Sequence, residues 1–531
     1  MKDIKLYLNQ QGYRVNGNKF AFYLGSAKTF NLINTENEIL YRGEISYSGK
    51  KDLSSNDEVG FINFSDFQEE GTYYLEIPDE KCLSNSFNIN SKPYTYAKEA
   101  LIKGLYLQRC GFDLDKKIAG KWFHEKCHTA KAYLYENPDV TIDISGGWHD
   151  AGDYGKYVVA GAVTVAMMLL SYEHAPSAFE DKFVVPNLLD EARYELEWML
   201  KMQDSEGGLY HKVTTPSFPG FIMPEDDLDT WVATPVSTAA TADFTACTAM
   251  ASRIYSKYDS EFSKRLLAAS LKGWQWLENN PKDKPFKNPV GVVTGEYGDD
   301  DLRDERLWAA AALYRATLDS KYSNFMQEFM LKHKDMDRVN FGWSKVGGFA
   351  AAEILFMENS NEALADLFKA AFIAEANRLK EIAFNDGYKV PMLPEDYLWG
   401  STMVLSNRAA LLILASKLVD DAAFEKIAEN CLHWMLGANP VGISYITGVG
   451  TNSIMHPHHR PSVADKVDAP VPGLVSGGPD LGRSDPAAKE LIPSHVPPAK
   501  AFIDNDESYA TNEIAIYWNS PVIFLSGWFD K

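Results

Sequence analysis

The predicted fold class is a small all-β immunoglobulin-like sandwich followed by a large all-α domain, and three observations predict it. The first 90 or so residues are short β-branched and aromatic runs broken by turn residues. After Tyr96 the apolar period becomes helical. The chain has 531 residues, more than one ordinary core accommodates. The division falls in the proline-bearing stretch "NSKPYTY", giving domains over 1–92 and 93–531.

In the first domain the strands are read from "IKLYLNQ", "NKFAFYLG", "TFNLIN", "VGFINF", "GTYYLEI" and "NSFNI". So many short strands in so few residues suit an antiparallel sandwich. In the second, "YTYAKEALIKGLYLQRCG" is the first amphipathic stretch and ends at Gly111. Similar stretches follow at about 155–175, 187–204, 237–258, 261–279, 301–318, 320–333, 346–358, 361–384, 401–418, 421–436 and 508–527. The connections 205–236 and 438–507 are structureless by pattern, and long ordered loops usually carry function.

A net charge of −21 disfavours nucleic acid and anionic membranes as partners. Five cysteines are too sparse and odd a set for a disulfide framework. "MKDIKLYLNQQGY" lacks the basic and apolar regions of an export signal, and no apolar run reaches a membrane-spanning length. The expected compartment is the cytoplasm, or the exterior if a leader has been removed.

Four constellations carry chemistry. In "SGGWHDAGDYGKY", 145–157, Asp150 and Asp153 stand three apart after a Gly-Gly pair and Trp148. Two such carboxylates can hold one water, one accepting its proton and one orienting it. They can also favour the start of the helix that follows. In "GVGTNSIMHPHHRPS", His456, His458, His459 and Arg460 are either sugar-hydroxyl ligands or a solvated polar loop. In "FIDNDESYATNEIAIYWNS", Glu513 is read inside an apolar helix, where burial favours the protonated form that a general acid needs. Cys110, Cys127, His128 and His149 form a Cys2His2 set whose spacing fits no zinc-finger pattern.

Together these motifs resemble glycoside hydrolase family 9, in its branch with an N-terminal immunoglobulin-like domain. "GGWHDAGDYGKY" resembles the family's aspartate motif. Gly450, Asn452, Pro457, His458 and Arg460 fit its histidine signature. Phe502, Asp504, Tyr509, Glu513, Ala515, Asn519 and Ser520 fit its carboxylate signature. "STAATADF" and "DDLRDERLWAAAALY" look familial too, and the matches run from about residue 4 to the C-terminus.

The resemblance implies an (α/α)6 barrel and an inverting β-glycosidase, with acid and base roughly 6.5–9.5 Å apart. Asp153 would be the general base, Asp150 the water-positioning residue and Glu513 the general acid. His458, Arg460, Tyr509 and Trp518 would bind substrate, and Asp504 would support the acid's segment. Cys110, Cys127, His128 and His149 would hold a structural zinc. Calcium would lie at Asp300, Asp301, Asp304 and Glu305; yet Ser344 follows Trp343 where the family commonly has Trp-Asp, and the stretch reads equally as a solvated helix start. No organic cofactor is implied.

The expected activity is hydrolysis of β-1,4 linkages in soluble glucans or cello-oligosaccharides, by a monomer or weak homo-oligomer. The alternative is an exo-acting β-glucosidase or exo-β-glucosaminidase, with the acidic stretch 219–231 narrowing the cleft and pairing with an ammonium. A non-catalytic carbohydrate-binding homologue would be expected to lack Asp153 or Glu513, and both are present. The sandwich is expected to stabilise the barrel by packing.

Overall fold

The computed structural model describes residues 5–180 and 186–531, so Ile4 of the first predicted strand lies outside the described residues. Nine strands form the N-terminal domain: β1 Lys5–Leu8, β2 Tyr13–Arg14, β3 Phe20–Leu24, β4 Thr29–Asn34, β5 Ile39–Tyr47, β6 Gly60–Asn63, β7 Gly71–Ile77, β8 Cys82–Leu83 and β9 Phe87–Asn90. β5 belongs to both layers. Its first part pairs with β4, which continues to β7, β9 and β2; its last three residues pair with β6, which continues to β3 and β1.

Strand β3 shows how period two is used on both faces. Ala21 and Tyr23 point into the sandwich core with Phe30, Leu32, Ile62 and Leu75. Phe20 and Phe22 point the other way, into the core of the second domain. The Phe22 ring lies 4.8 Å from Tyr388 and the Phe20 ring 5.1 Å from His433. Arg14 to Glu429, 2.7 Å, and Lys500 to Asp57, 2.5 Å, flank this apolar seam. The sandwich is packed against the barrel, as expected.

Among the described residues twelve long helices follow: α1 Thr95–Leu107, α2 Val158–His174, α3 Leu188–Lys201, α4 Thr238–Tyr255, α5 Ser260–Asn279, α6 Arg303–Thr317, α7 Ser320–Lys332, α8 Gly347–Leu355, α9 Glu362–Asn385, α10 Ser401–Ser416, α11 Ala422–Met435 and α12 Ile516–Asp530. The even-numbered helices form the inner ring. α2 packs on α4, α4 on α6 and α6 on α8, and α12 bridges from α10 back to α2. The barrel is thus an (α/α)6 toroid. Inner helices such as α2, "VVAGAVTVAMMLLSYEH", are buried almost all round, as a core helix must be. Outer helices are amphipathic: α5 buries Phe262, Leu266, Ser270, Trp274 and Leu277 on one stripe. Asn187, Asp259, Asp319, Asn361 and Asp421 cap five of the outer helices through side-chain oxygens.

The structure departs from the pattern reading in three places. The connection 205–236 contains short strands Leu209–Tyr210, Lys212–Thr214, Val232–Ala233 and Val236–Ser237, and 438–507 contains short helices Arg460–Ala464 and Pro486–Leu491. A hairpin, Ala132–Leu134 with Asn137–Ile142, precedes the aspartate motif. The last helical stretch is broken: a single turn, Tyr509–Asn512, ends before Glu513, whose backbone is extended, and α12 starts at Ile516. Glu513 is therefore not inside a helix.

Candidate active site

The segments that precede inner helices meet at one end of the barrel. Tyr297, before α6, reaches Asp150, before α2, and its ring lies 5.2 Å from Trp343, before α8, and 5.8 Å from Tyr517 in the first turn of α12. Trp399, before α10, lies 5.3 Å from Tyr509.

The aspartate segment is built backwards from α2. Residues 108–110, at the end of α1, pair with 147–149: Cys110 N–H donates to Gly147 O at 2.8 Å and His149 N–H to Gln108 O at 2.8 Å. Gly147 has φ +73°, and a Cβ there would stand 2.7 Å from the Trp198 ring, so only glycine fits. Trp148 is buried, its indole N–H donating to Glu191 at 3.2 Å, so its face is not offered to a ligand. Asp150 is buried; it accepts from the Tyr297 hydroxyl at 2.6 Å, and its Oδ1 has no protein partner. Burial pushes its carboxyl well above the usual range, Tyr297 opposes this, and the Asp153 charge adds to it. Asp153 Oδ2 accepts from Gly155 N–H at 2.9 Å.

The histidine and acid segments run side by side, His458 forming a parallel bridge to Glu513. His458 N–H donates to Asn512 O at 2.8 Å, and Gly477 N–H to Glu513 O at 2.9 Å. Asp504 accepts from Met455 N–H, His456 N–H and Asn512 Nδ2, each at 2.8 Å, and so ties the two segments together. Glu513 is half-buried. Burial raises its carboxyl well above the usual range, and the charges of Asp153 and Asp150 add to this. Ile516 N–H donates to Asp150 O at 2.9 Å, joining the acid segment to the aspartate segment. Gly152 forms the other seam: Arg460 N–H and Nη1 donate to its carbonyl at 3.0 and 2.8 Å, and a Cβ there would strike His458 O.

Several expected ligands take different places. His458 Nδ1–H donates to Asp506 O, which leaves Nε2 for the cleft. His459 is buried against Gln108, whereas His456 is exposed. Arg460 is mainly a clamp, because Nε and Nη1 bond the carbonyls of Pro219 and Gly152. Trp518 is 3 % exposed and wedged beneath Gly400 and Gly477, so it presents no stacking face. Trp399, 47 % exposed beside the half-buried Tyr509, presents one. Pattern reading missed Trp399 and Tyr297, since each is an aromatic in a loop outside the quoted motifs. The signal available for both was their position just ahead of a helix.

Loss of the Tyr297 hydroxyl would leave both Asp150 oxygens unpaired. Tyr297→Phe is expected to lower kcat roughly 10- to 100-fold with KM little changed, as steady-state assays on cello-oligosaccharides would show. An unchanged kcat would remove Tyr297 from the machinery.

The donor atoms of Cys110, Cys127, His128 and His149 all lie within 4.8 Å of one another, and all four residues are buried. Cys110 Sγ is 3.7 Å from His128 Nδ1, Cys127 Sγ 3.9 Å from His149 Nε2, and the two ring nitrogens are 3.1 Å apart. A tetrahedron with bonds of about 2.3 Å to sulfur and 2.0 Å to nitrogen has edges of about 3.3–3.8 Å, so the set fits zinc. His128 has φ +48°, a left-handed backbone that lets adjacent Cys127 and His128 face one point. Lys156 Nζ, buried, lies 3.5 Å from Cys110 Sγ and offsets thiolate charge.

The acidic stretch before α6 differs from expectation. The Asp300 side chain is 84 % exposed, and both Asp301 oxygens are engaged by Arg303. Asp304 accepts from Val346 N–H at 2.8 Å, and burial raises its carboxyl to about 7. Glu305 and Asp243 are buried with all four oxygens unpartnered; burial pushes both carboxyls up, and the charges of Asp304 and Asp299 add to it. Asp300 is thus solvent-facing and Asp301 paired with Arg303, apart from the buried Asp304 and Glu305, near which Asp243 and Asp299 add further charge. Among the described residues, the Cys/His set is the one group whose donors converge to ion-binding spacing.

A buried carboxylate pair on one segment and a proton-holding carboxyl on another, at one end of the barrel, are equipment for hydrolysing an acetal. Residues 94–526 match the profile of glycosyl hydrolase family 9, and residues 2–82 that of the cellulase N-terminal ig-like domain. The chain is 36% identical over 546 positions to a cellodextrinase of Butyrivibrio fibrisolvens, covering 98% of this chain and 99% of that one. It is similar in structure to a single mutant of the thermostable endoglucanase of Alicyclobacillus acidocaldarius, with TM-score 0.93 and 35% identity over 99% of this chain and 100% of the other. A Zn-binding triple mutant of a family 9 endoglucanase matches with TM-score 0.93 and 30% identity, covering 98% and 99%. The chain belongs to glycosyl hydrolase family 9 and is a glycoside hydrolase.

Proposed function

We propose that the protein hydrolyses β-1,4 linkages of soluble glucans and cello-oligosaccharides with inversion. The observation that carries the reading is that Asp150 and Asp153 on one segment lie close enough to Glu513 on the next for their charges to help keep its carboxyl protonated. Asp153 takes a proton from a water that Asp150 orients. The water oxygen bonds to the anomeric carbon as the bond to the leaving oxygen breaks, and Glu513 gives that oxygen its proton. Tyr509 and Trp399 stack on sugar faces and His458 Nε2 meets a hydroxyl.

The Cys2His2 set is read as a structural zinc site: four protein ligands close it, and the bound ion supplies rigidity rather than an open coordination position. Its place next to Asp150 lets it hold the aspartate segment. For calcium the reading narrows to Asp304 and Glu305 beside Asp243, where oxygens without a protein partner suit a hard cation.

Product analysis on cellopentaose and a chitosan pentamer tests the reading. Mixed short cello-oligosaccharides, the α-anomer released first and intact chitosan are expected. Glucose or glucosamine as sole early product would replace it with the exo alternative, and a β-anomer would overturn inversion.

A further inference from the structure

We propose that Asp227 is the outer partner of the metal ligand His128, and that through this pair the metal centre holds the 216–231 segment over the cleft. The inference rests on the zinc reading above.

His128 turns Nδ1 toward Cys110 and His149, the metal side, and Nε2 outward. Asp227 Oδ2 stands 3.3 Å from that Nε2, with both side chains buried. Neither atom makes a hydrogen bond among the described residues, so the two buried groups face each other as a close charge contact, each otherwise unpartnered. A carboxylate on the far nitrogen keeps the proton there, leaves Nδ1 as the ligand nitrogen and fixes the ring. The second oxygen, Oδ1, accepts from Asp229 N–H at 3.2 Å, which stiffens the segment locally. Trp231, at its end, lies 4.7 Å from the His128 ring.

The same segment reaches the cleft. Its one regular feature is the turn Pro224–Asp226, so tethers rather than secondary structure place it. Arg460 Nε donates to Pro219 O at 2.9 Å, and the Tyr154 hydroxyl donates to Ile222 O. Phe218 and Phe221 each lie 5.7 Å from the Arg460 guanidinium, and Phe221 meets His458 edge-on at 5.3 Å. The wall that shapes His458 and Arg460 is thus anchored at its far end to a metal ligand. Asp227 is a positioning residue: it touches neither the carboxylates nor a sugar.

Asp227→Asn, which preserves shape, is expected to weaken zinc 10- to 100-fold in competition with a chromophoric chelator. KM for cello-oligosaccharides should rise severalfold with kcat held, and Asp227→Glu should restore part of the affinity. Hydrogen exchange on the wild-type enzyme gives a readout independent of any variant. Chelation should speed exchange across 217–230, and zinc should reverse it. Wild-type protein that takes up no zinc would defeat the zinc reading itself. Zinc uptake with unchanged affinity in Asp227→Asn, or unchanged exchange at 217–230 after chelation, would defeat the tether.

Discussion

Glu513→Gln is expected to lower kcat on cello-oligosaccharides by roughly 10²–10⁴-fold, with KM little changed. The amide fills the same space and keeps the backbone bonds to His458 and Gly477, but it has no acidic proton to give. An aryl cellobioside with a nitrated phenol needs no protonation to leave, so its loss should be far smaller. The pH profile carries the same information. Burial, with the Asp153 and Asp150 charges, keeps Glu513 protonated well above the usual carboxylate range. The protonated form is the active one, so wild-type activity is lost as pH rises through that raised pKa, and the variant loses this alkaline limb. Equal losses on both leaving groups would mean that the proton comes from elsewhere.

Metal removal is the second large effect. Stripping the Cys110–Cys127–His128–His149 site with a chelator is expected to lower Tm by roughly 4 °C, with recovery on adding zinc. An ion at about 1,000 times its Kd contributes about 4 kcal/mol to the folded state. Cys110→Ser should show the loss without chelator, whereas Cys82→Ser, far from the site on β8, should not. Activity should fall with Tm because Asp150 follows ligand His149 directly. Scanning calorimetry checks all three; a chelated protein with unchanged Tm would exclude a structural metal.

The helices were legible because each long one has an apolar face or an apolar circumference, and their bounds fall within a few residues of the periodicity. α12 shows the limit. "YATNEIAIYWNS" keeps an apolar pattern through the break, and what breaks it is pairing of Glu513 with His458 and Gly477, two segments remote in sequence. The roles of Gly152 and Asp227 were hidden for the same reason: each is defined by what it meets across the fold. Trp518 shows the converse. A tryptophan beside the acid reads as a platform, yet two glycines, Gly400 and Gly477, open a slot that takes its ring inward.

The gathering of every cleft residue onto segments ahead of inner helices separates two kinds of selection. The twelve helices are judged by packing alone, and the segments at one rim by what they hold in the cleft. Insertions, deletions and exchanges at that rim leave the ring of inner helices untouched, so new substrate preferences can be explored at little cost in folding. The aspartate segment is the exception. It shares His149 with the metal centre and Gly147 with the floor of Trp198, so it is bound to the scaffold on both sides and has the least room to vary. Diversification in such a chain is thus expected along 216–226, 298–302 and 393–398 before it reaches 145–157.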